Sequence, residues 1–364
     1  MLKNIVIRNY RNIESLSLNS LGRVNLIAGK NNTGKSNLLE AIAILMDGSA
    51  FAIVESLKER GEYFRQSSGD YSDSKQLPTL NSDIFSSLFY QHATVINGNE
   101  PIILEDSEGK SIRIRLVYFI VEEQNLPDGQ INKKRVFVDE TTLGGNLCLE
   151  IVTKNGTSVT KLDDIFKYSF PASNSSKLNN VQFVRTRNIN SEENSIYWDR
   201  VALTSKENAV VEALRIVDPS IERITFVDRN RQRVPVVKQS NSEKVYPLQS
   251  FGDGVNRVLS IILALINAEN GVLLLDEFEN GLHYSVQKKL WEIIFSLSEK
   301  LNIKVFATTH SSDTIRSFAE VMNTIPSAKD GLFLRLENKN NKIVAVSYSP
   351  EELSSASEFD IETR

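Results

Sequence analysis

The residues Gly29-Lys30-Asn31-Asn32-Thr33-Gly34-Lys35-Ser36 fit the pattern G-x-x-x-x-G-K-[ST]. Their types and spacing suit a triphosphate. Glycine at each end lets successive backbone N–H groups curl around a phosphate with no Cβ in the way. A helix expected over residues 36–46 would aim its positive end at the same anion. In that arrangement Lys35 bridges the β- and γ-phosphates of ATP, and the Ser36 hydroxyl ligates Mg²⁺. The nucleotide-binding set is therefore Gly29, Asn31, Asn32, Thr33, Gly34, Lys35, Ser36 and Asn37.

Three further groups complete a hydrolytic site. Gly271-Val272-Leu273-Leu274-Leu275-Asp276-Glu277 reads as a buried parallel strand ending in two carboxylates. Asp276 would hold the Mg²⁺, and Glu277 would take a proton from the attacking water. A strand that simply ends in a solvated acid pair looks the same in isolation. Its conjunction with the glycine loop decides for the hydrolytic reading. Ser250-Phe251-Gly252-Asp253-Gly254 opens an apolar helix, so Ser250, Gly252 and nearby N–H groups form a second anion cradle. An ordinary N-cap with glycines is the bland alternative. Phe306-Ala307-Thr308-Thr309-His310 ends a strand in one of only three histidines, placed to bond the γ-phosphate or orient the water.

The elements that must position these groups lie at both ends of the chain. Residues 2–8 and 15–18 alternate as two strands around a turn at residues 9–12, and residues 24–28 form a short apolar strand. The last third alternates again. It reads as helix 254–268, strand 271–275, helix 285–301, strand 303–309, helix 313–322 and a hairpin turning at Asn340-Asn341. Between them, residues 102–160 carry short β-like runs separated by Pro127-Asp128-Gly129, Gly144-Gly145 and Asn155-Gly156. Residues 61–82 and 173–180 are polar loops. Residues 207–217 read as a helix, and 224–238 as a basic hairpin. No repeat and no long heptad run appears. The expected division is residues 1–47 and 241–325 as two parts of one core, 48–240 as a β-rich lobe with an inserted middle region, and 326–364 as a terminal hairpin and tail.

Composition agrees with a soluble, cytoplasmic protein. The chain has 364 residues and 41% hydrophobic content, enough for a sizeable core. A net charge of −4 argues against a globally basic nucleic-acid binder but leaves room for a local basic face. The one cysteine, Cys148, excludes an internal disulfide and fits a reducing compartment as a buried structural thiol. No apolar run reaches the roughly 20 residues that span a bilayer, and no targeting segment is evident.

In this order the motifs resemble the ABC-type ATPases of the SMC/RecF group, and most of all the ATPase domains of the OLD (overcoming lysogenization defect) family. Residues 5–13, with Asn9-Tyr10-Arg11-Asn12, look like the opening strand and turn of that group. Gly29 to Ser36 is similar to Walker A and Asp276-Glu277 to Walker B. Ser250-Phe251-Gly252-Asp253 is similar to the signature, with Phe251 in place of a glycine. The run from Asp276 to His283 is similar to D-E-P-E-x-x-L-H, with Phe278 in place of proline, and His310 matches the switch histidine. Gln66, Gln91 and Gln182 are the candidates for the Q-loop glutamine. The likeness is firm over about half the chain.

The resemblance implies an α/β, ABC-type P-loop ATPase head with a β-rich N-terminal lobe and an inserted α+β middle region. It implies a homodimer or higher homo-oligomer in which Ser250 acts on the partner's ATP, with Glu277 and His310 catalytic. OLD nucleases also carry a TOPRIM domain, and the residues after His310 do not accommodate one. The expected partner is thus a separate nuclease or toxin effector, in phage defence or DNA processing. DNA is a further expected partner. Arg223, Arg229, Arg231, Arg233 and Lys238 form one basic cluster, Lys133-Lys134-Arg135 a second, and Arg185 with Arg187 a third. The competing reading is an ATP-loaded scaffold that sequesters a toxin or nuclease with little turnover. A transporter nucleotide-binding domain would be shorter and lack the β-rich middle. An unrelated P-loop kinase would leave Asp276, Glu277 and His310 without a role.

Overall fold

A computed structural model describes residues 2–62, 84–93, 100–125, 131–138, 142–165, 180–186, 191–229, 231–349 and 352–353. Strands β1 (Ile5–Tyr10) and β2 (Ile13–Leu18) alternate buried and exposed residues and pair antiparallel, Ile5 opposite Leu18. β3 (Val24–Gly29) is buried at every residue and runs into helix α1 (Lys35–Asp47). Helix α2 (Ala50–Glu59) follows, with the Ser49 hydroxyl accepting the Phe51 N–H as its cap. Five more strands come next: β4 (Ile102–Asp106), β5 (Ser111–Asn125), β6 (Ile131–Val138), β7 (Asn146–Thr153) and β8 (Gly156–Lys161). Then come β9 (Val181–Val184), helices α3 (Ser191–Asp199) and α4 (Glu207–Leu214), and β10 (Ile221–Arg229), β11 (Gln232–Gln239) and β12 (Val245–Pro247). The last third holds α5 (Asp253–Asn267), β13 (Val272–Leu275), α6 (Tyr284–Lys300), β14 (Lys304–Thr309), α7 (Ser312–Thr324), β15 (Gly331–Lys339) and β16 (Lys342–Tyr348).

These strands make three sheets. One is antiparallel, in the order β2-β1-β4-β5-β7-β8, with β6 paired to the far half of β5. A second is the three-stranded β10-β11-β12. The third runs β16-β15-β3-β14-β13-β9, with all but the β15–β16 pairing parallel.

The third sheet divides the core. Its central strands β3, β14 and β13 are buried on both faces, so successive residues feed opposite clusters. Val24, Leu26, Ala28, Leu273, Leu275, Val305 and Ala307 pack with α5, α6 and α7. Ile27, Val272, Leu274 and Phe306 pack with α1, α2 and the antiparallel sheet. Phe278 stacks on Trp291 at 3.9 Å between centroids, and Trp291 meets Phe318 edge-on, locking α6 to α7.

The sheets cut across the segments read from the sequence. β1 and β2 belong with β4–β8 of the middle region, because their polar-out alternation suits a sheet covered on one face. β9 lies within the middle region yet forms the edge of the parallel sheet, and the terminal hairpin β15–β16 forms its other edge. Residues 63–83 and 166–179 cover most of the two expected polar loops and lie outside the described residues, as do Pro127-Asp128-Gly129, Gln66 and Arg187.

Candidate nucleotide site

The parallel register collects the chemistry at one edge. Leu275 stands opposite both Ala307 and Val184, Ala28 opposite Thr309, and Leu336 opposite Gly29. The carboxyl ends of β3, β14, β13 and β9 therefore finish side by side, the place where open α/β sheets build their sites. The glycine loop leaves β3 there, and Asp276-Glu277, His310 and Arg185-Thr186 leave the other three strands.

Two glycines of the loop are sterically required. A Cβ on Gly29, at φ +153°, would stand 2.7 Å from the Leu336 carbonyl and from Thr33 Oγ1. Gly34 caps α1 at φ 86°, and a Cβ there would lie 2.9 Å from Asn12 Oδ1. Asn31 and Asn32 are exposed, and Asn32 takes the left-handed φ of 64°. The Thr33 hydroxyl donates to Lys30 O at 2.8 Å and tightens the turn. The Lys35 ammonium donates to Gly29 O at 2.7 Å and Lys30 O at 3.0 Å. Partial burial lowers its pKa, against the opposing pull of the Asp276, Glu277 and Glu279 carboxylates. Asn37 donates to Asn12 Oδ1 at 2.6 Å and accepts from Arg60. The turn after β1 is thereby stitched to the loop.

Ser36 and Asp276, 240 residues apart, meet. The Ser36 hydroxyl lies 3.0 and 3.1 Å from the two Asp276 carboxylate oxygens. Both are hard oxygen donors, the type that Mg²⁺ takes. Thr308, wholly buried, donates from its hydroxyl to Asp276 Oδ1 at 2.7 Å and accepts the Glu277 N–H at 2.9 Å. Glu277 adopts φ 47°, a left-handed conformation that costs a non-glycine residue about 1–2 kcal/mol. Its carboxylate makes no hydrogen bond among the described residues.

Two sequence-assigned groups take forms the pattern did not show. Ser250 lies in the 3-10 turn Leu248–Phe251, and Gly252, at φ 90°, is the N-cap of α5. Ser250, Gly252 and Asp253 are exposed, so the start of α5 faces outward. The half-exposed His310 ring places Nδ1 3.1 Å from Glu279 Oε1, which also accepts the His310 N–H at 2.9 Å. The second oxygen of Glu279, Oε2, is buried with no partner among the described residues.

Several contacts at this edge were not legible in the sequence. Thr308 and Arg257 are ordinary polar residues within strand and helix runs, and only their neighbours give them meaning, while Glu279, in the run similar to D-E-P-E-x-x-L-H, gains its His310 partner only in the fold. Of the three glutamines, Gln91 borders a cavity and Gln182 accepts from the Tyr197 hydroxyl. Arg185 and Thr186 stand at the end of β9 instead. Arg185 lies 3.9 Å from Glu40 and 3.8 Å from Glu59, and its guanidinium covers the Phe183 ring at 4.0 Å. It is thereby engaged within the fold. In the β10–β11 cluster, Arg233 pairs with Asp199 and Lys238 lies 4.0 Å from Glu222.

A cavity of about 490 Å³ opens beside the glycine loop. Arg11, Asn12, Asn32, Asn37, Asn338 and Asn341 are among its lining residues. Below it, Glu40 of α1 is buried and bonded to Arg60 Nε at 2.7 Å, Arg11 Nε at 3.1 Å and the Ser56 hydroxyl at 3.1 Å. Burial, with the Glu40 charge, pushes the Tyr10 phenol in this network up to about 12.

The model of the family described as "AAA ATPase domain" matches residues 1–209. A second, described as "AAA domain, putative AbiEii toxin, Type IV TA system", matches residues 164–316. The chain belongs to the AAA ATPase domain family, and it is an ATPase of the ABC/SMC/RecF-like P-loop class. An "ATP/GTP phosphatase" of Helicobacter pylori is 24% identical, with 97% of each chain covered. The "DNA replication and repair protein RecF" of Caldanaerobacter subterraneus subsp. tengcongensis is 28% identical over 49% of this chain and 45% of its own length. "Endonuclease GajA" of Bacillus cereus is 23% identical over 86% of this chain and 56% of its own. The chain thus spans about half of each of the last two. No helix among the described residues is long and apolar enough to cross a membrane.

Proposed function

We propose that the protein hydrolyses Mg-ATP at the carboxyl edge of its parallel sheet, with Glu277 as general base, in a site completed by a second copy of the chain. The observation that carries this is the 3.0 Å approach of Ser36 to Asp276 beside a Glu277 carboxylate that makes no hydrogen bond among the described residues. The N–H groups between Gly29 and Ser36 and the start of α1 bind the β-phosphate, and Lys35 bridges to the γ-phosphate. Ser36 and Asp276 would hold Mg²⁺, which would neutralise charge on the phosphate oxygens. Glu277 takes a proton from water as the water oxygen bonds to the γ-phosphorus. The bond to the bridging oxygen breaks, and ADP and inorganic phosphate leave. His310, held by Glu279, faces the γ-phosphate. The exposed start of α5, with Ser250 and Gly252, serves the ATP of the second copy. The nucleoside lies in the cavity beside Asn12 and Asn37, and GTP is a second substrate to test because one relative is named for both nucleotides.

The names of the RecF and GajA relatives, a DNA replication and repair protein and an endonuclease, support work on DNA, and we extend this reading to a separate effector in phage defence. The match to a family described by a toxin and a Type IV TA system favours a second reading, an ATP-loaded scaffold that holds a toxin and turns over slowly. Light scattering of wild type and Glu277→Gln with ATP, alongside phosphate release, tests both. The hydrolytic reading expects the variant to trap ATP as a larger assembly and to lose about 10²–10⁴-fold in rate. Normal hydrolysis by Glu277→Gln would remove the general base from this scheme. A wild type that assembles on ATP yet barely turns over would favour the scaffold.

A further inference from the structure

Helix α5 is buried along almost its whole length, with Val255, Val258, Leu259, Ile261 and Ile262 in the core. Among them sits Arg257, 2% exposed. A guanidinium in such surroundings is costly unless it is bonded. No carboxylate among the described residues forms an ion pair with it. Its donors go to three backbone carbonyls on two other segments: Nη1 to Arg185 O at 2.9 Å, and Nη2 to Asp276 O at 2.8 Å and Glu277 O at 3.1 Å. Its Nε is buried with no partner among the described residues. An apolar side chain of like volume would fill the site without that penalty. The charge therefore marks a task in what the other two nitrogens hold.

They hold the peptides that carry Asp276 and Glu277. Glu277 departs from the strand into its left-handed conformation at φ 47°, and such a residue persists only where its surroundings over-determine it. Thr308 fixes the N–H side of this turn and Arg257 the carbonyl side. Arg257 also ties the end of β9 to the end of β13 through Arg185 O, so one side chain registers two of the four strand ends at the site. We propose that Arg257 is a positioning residue for hydrolysis: from the first turns of α5, its guanidinium holds the Asp276–Glu277 backbone in the turn that sets where the Glu277 carboxylate stands. This rests on Glu277 being the base.

The test uses Arg257→Lys and Arg257→Ala in the full chain, with mant-ATP binding, melting temperature and single-turnover hydrolysis. Lysine keeps the charge but cannot span three carbonyls in a planar fork. The expected result is unchanged mant-ATP affinity and a hydrolysis rate about 10²-fold lower in both. Guanidinium chloride at millimolar concentration should restore part of the Arg257→Ala rate where sodium chloride does not. In the Glu277→Gln background, Arg257→Lys should cost nothing further, because residues acting as one unit are non-additive. Full hydrolysis by Arg257→Lys overturns the proposal, and so does an equal loss in the Glu277→Gln background. A rate loss that follows lost mant-ATP binding and melting temperature, with no guanidinium rescue, assigns Arg257 to folding alone and overturns it as well. A wild type that binds mant-ATP without hydrolysing it fails one step earlier, at the reading of Glu277, and is distinguished by that control.

Discussion

Replacing Thr308 by valine removes one oxygen and keeps the shape. That oxygen donates to Asp276 Oδ1 at 2.7 Å and accepts the Glu277 N–H at 2.9 Å, with the residue wholly buried. A hydrogen bond to a charged group contributes about 1.5–3 kcal/mol, and a buried donor left without an acceptor costs about 1–3 kcal/mol. A total near 3 kcal/mol is a cautious figure, because water reaches part of the site. With 364 residues at about 2.1 cal/mol/K each, the melting point should fall by about 4 °C. The functional loss should be larger. Freed from Thr308, Asp276 and Glu277 shift against Ser36, and a misplacement of about 1 Å costs about 10²-fold in rate. Differential scanning fluorimetry and phosphate release read the two effects, with Thr308→Ser as the control that keeps the hydroxyl. A Thr308→Val protein that melts with the wild type and turns over at its rate would refute the claim that this hydroxyl organises the acid pair.

Gly29→Ala places a Cβ against the Leu336 carbonyl and should cost about 1–3 kcal/mol of stability, with loss of mant-ATP binding followed by fluorescence titration. Glu40→Gln takes from Arg11 the more deeply buried of its two anions and leaves the partly buried Glu62 at 3.0 Å. Urea denaturation should show a loss of about 1–3 kcal/mol. Lys304 is buried, with its ammonium on Leu2 O and Leu21 O, and burial pulls its pKa down to about 8. The unfolded value is about 10.4, so between these two the unfolded chain holds the proton that the folded chain has released, and stability rises with pH. Urea midpoints at both ends of that window should show a rise in wild type, worth up to about 3 kcal/mol, that Lys304→Met lacks. Equal slopes in the two proteins would count against the buried ammonium.

Local pattern was enough to mark the loop and strand formed by contiguous residues. Gly29 to Ser36 reads from sequence because steric need confines glycine to positions where φ is positive or a backbone passes close. The strand before Asp276 reads because a strand buried on both faces is apolar throughout. Helices α5, α6 and α7 show through their periodicity, to within a residue or two at most ends. What needed the tertiary structure was pairing between distant segments. The Ser36–Asp276 approach spans 240 positions and depends on β3 and β13 flanking β14. β9 could not be recognised as the edge of the core sheet, since four residues carry too little pattern to choose between two sheets. Thr308 and Arg257 were silent for the same reason, and Glu279 showed only as part of the run similar to D-E-P-E-x-x-L-H. Their side-chain types are common, and their contacts come from the backbone groups and side chains that the fold brings to about 3 Å. Sequence by itself determined which residues carry the hydroxyl, ammonium and carboxylate groups that a phosphate-cleaving site would need. The fold decided which of them stand together and what holds them there, because hydrogen bonds and burial depend on distance in space rather than along the chain.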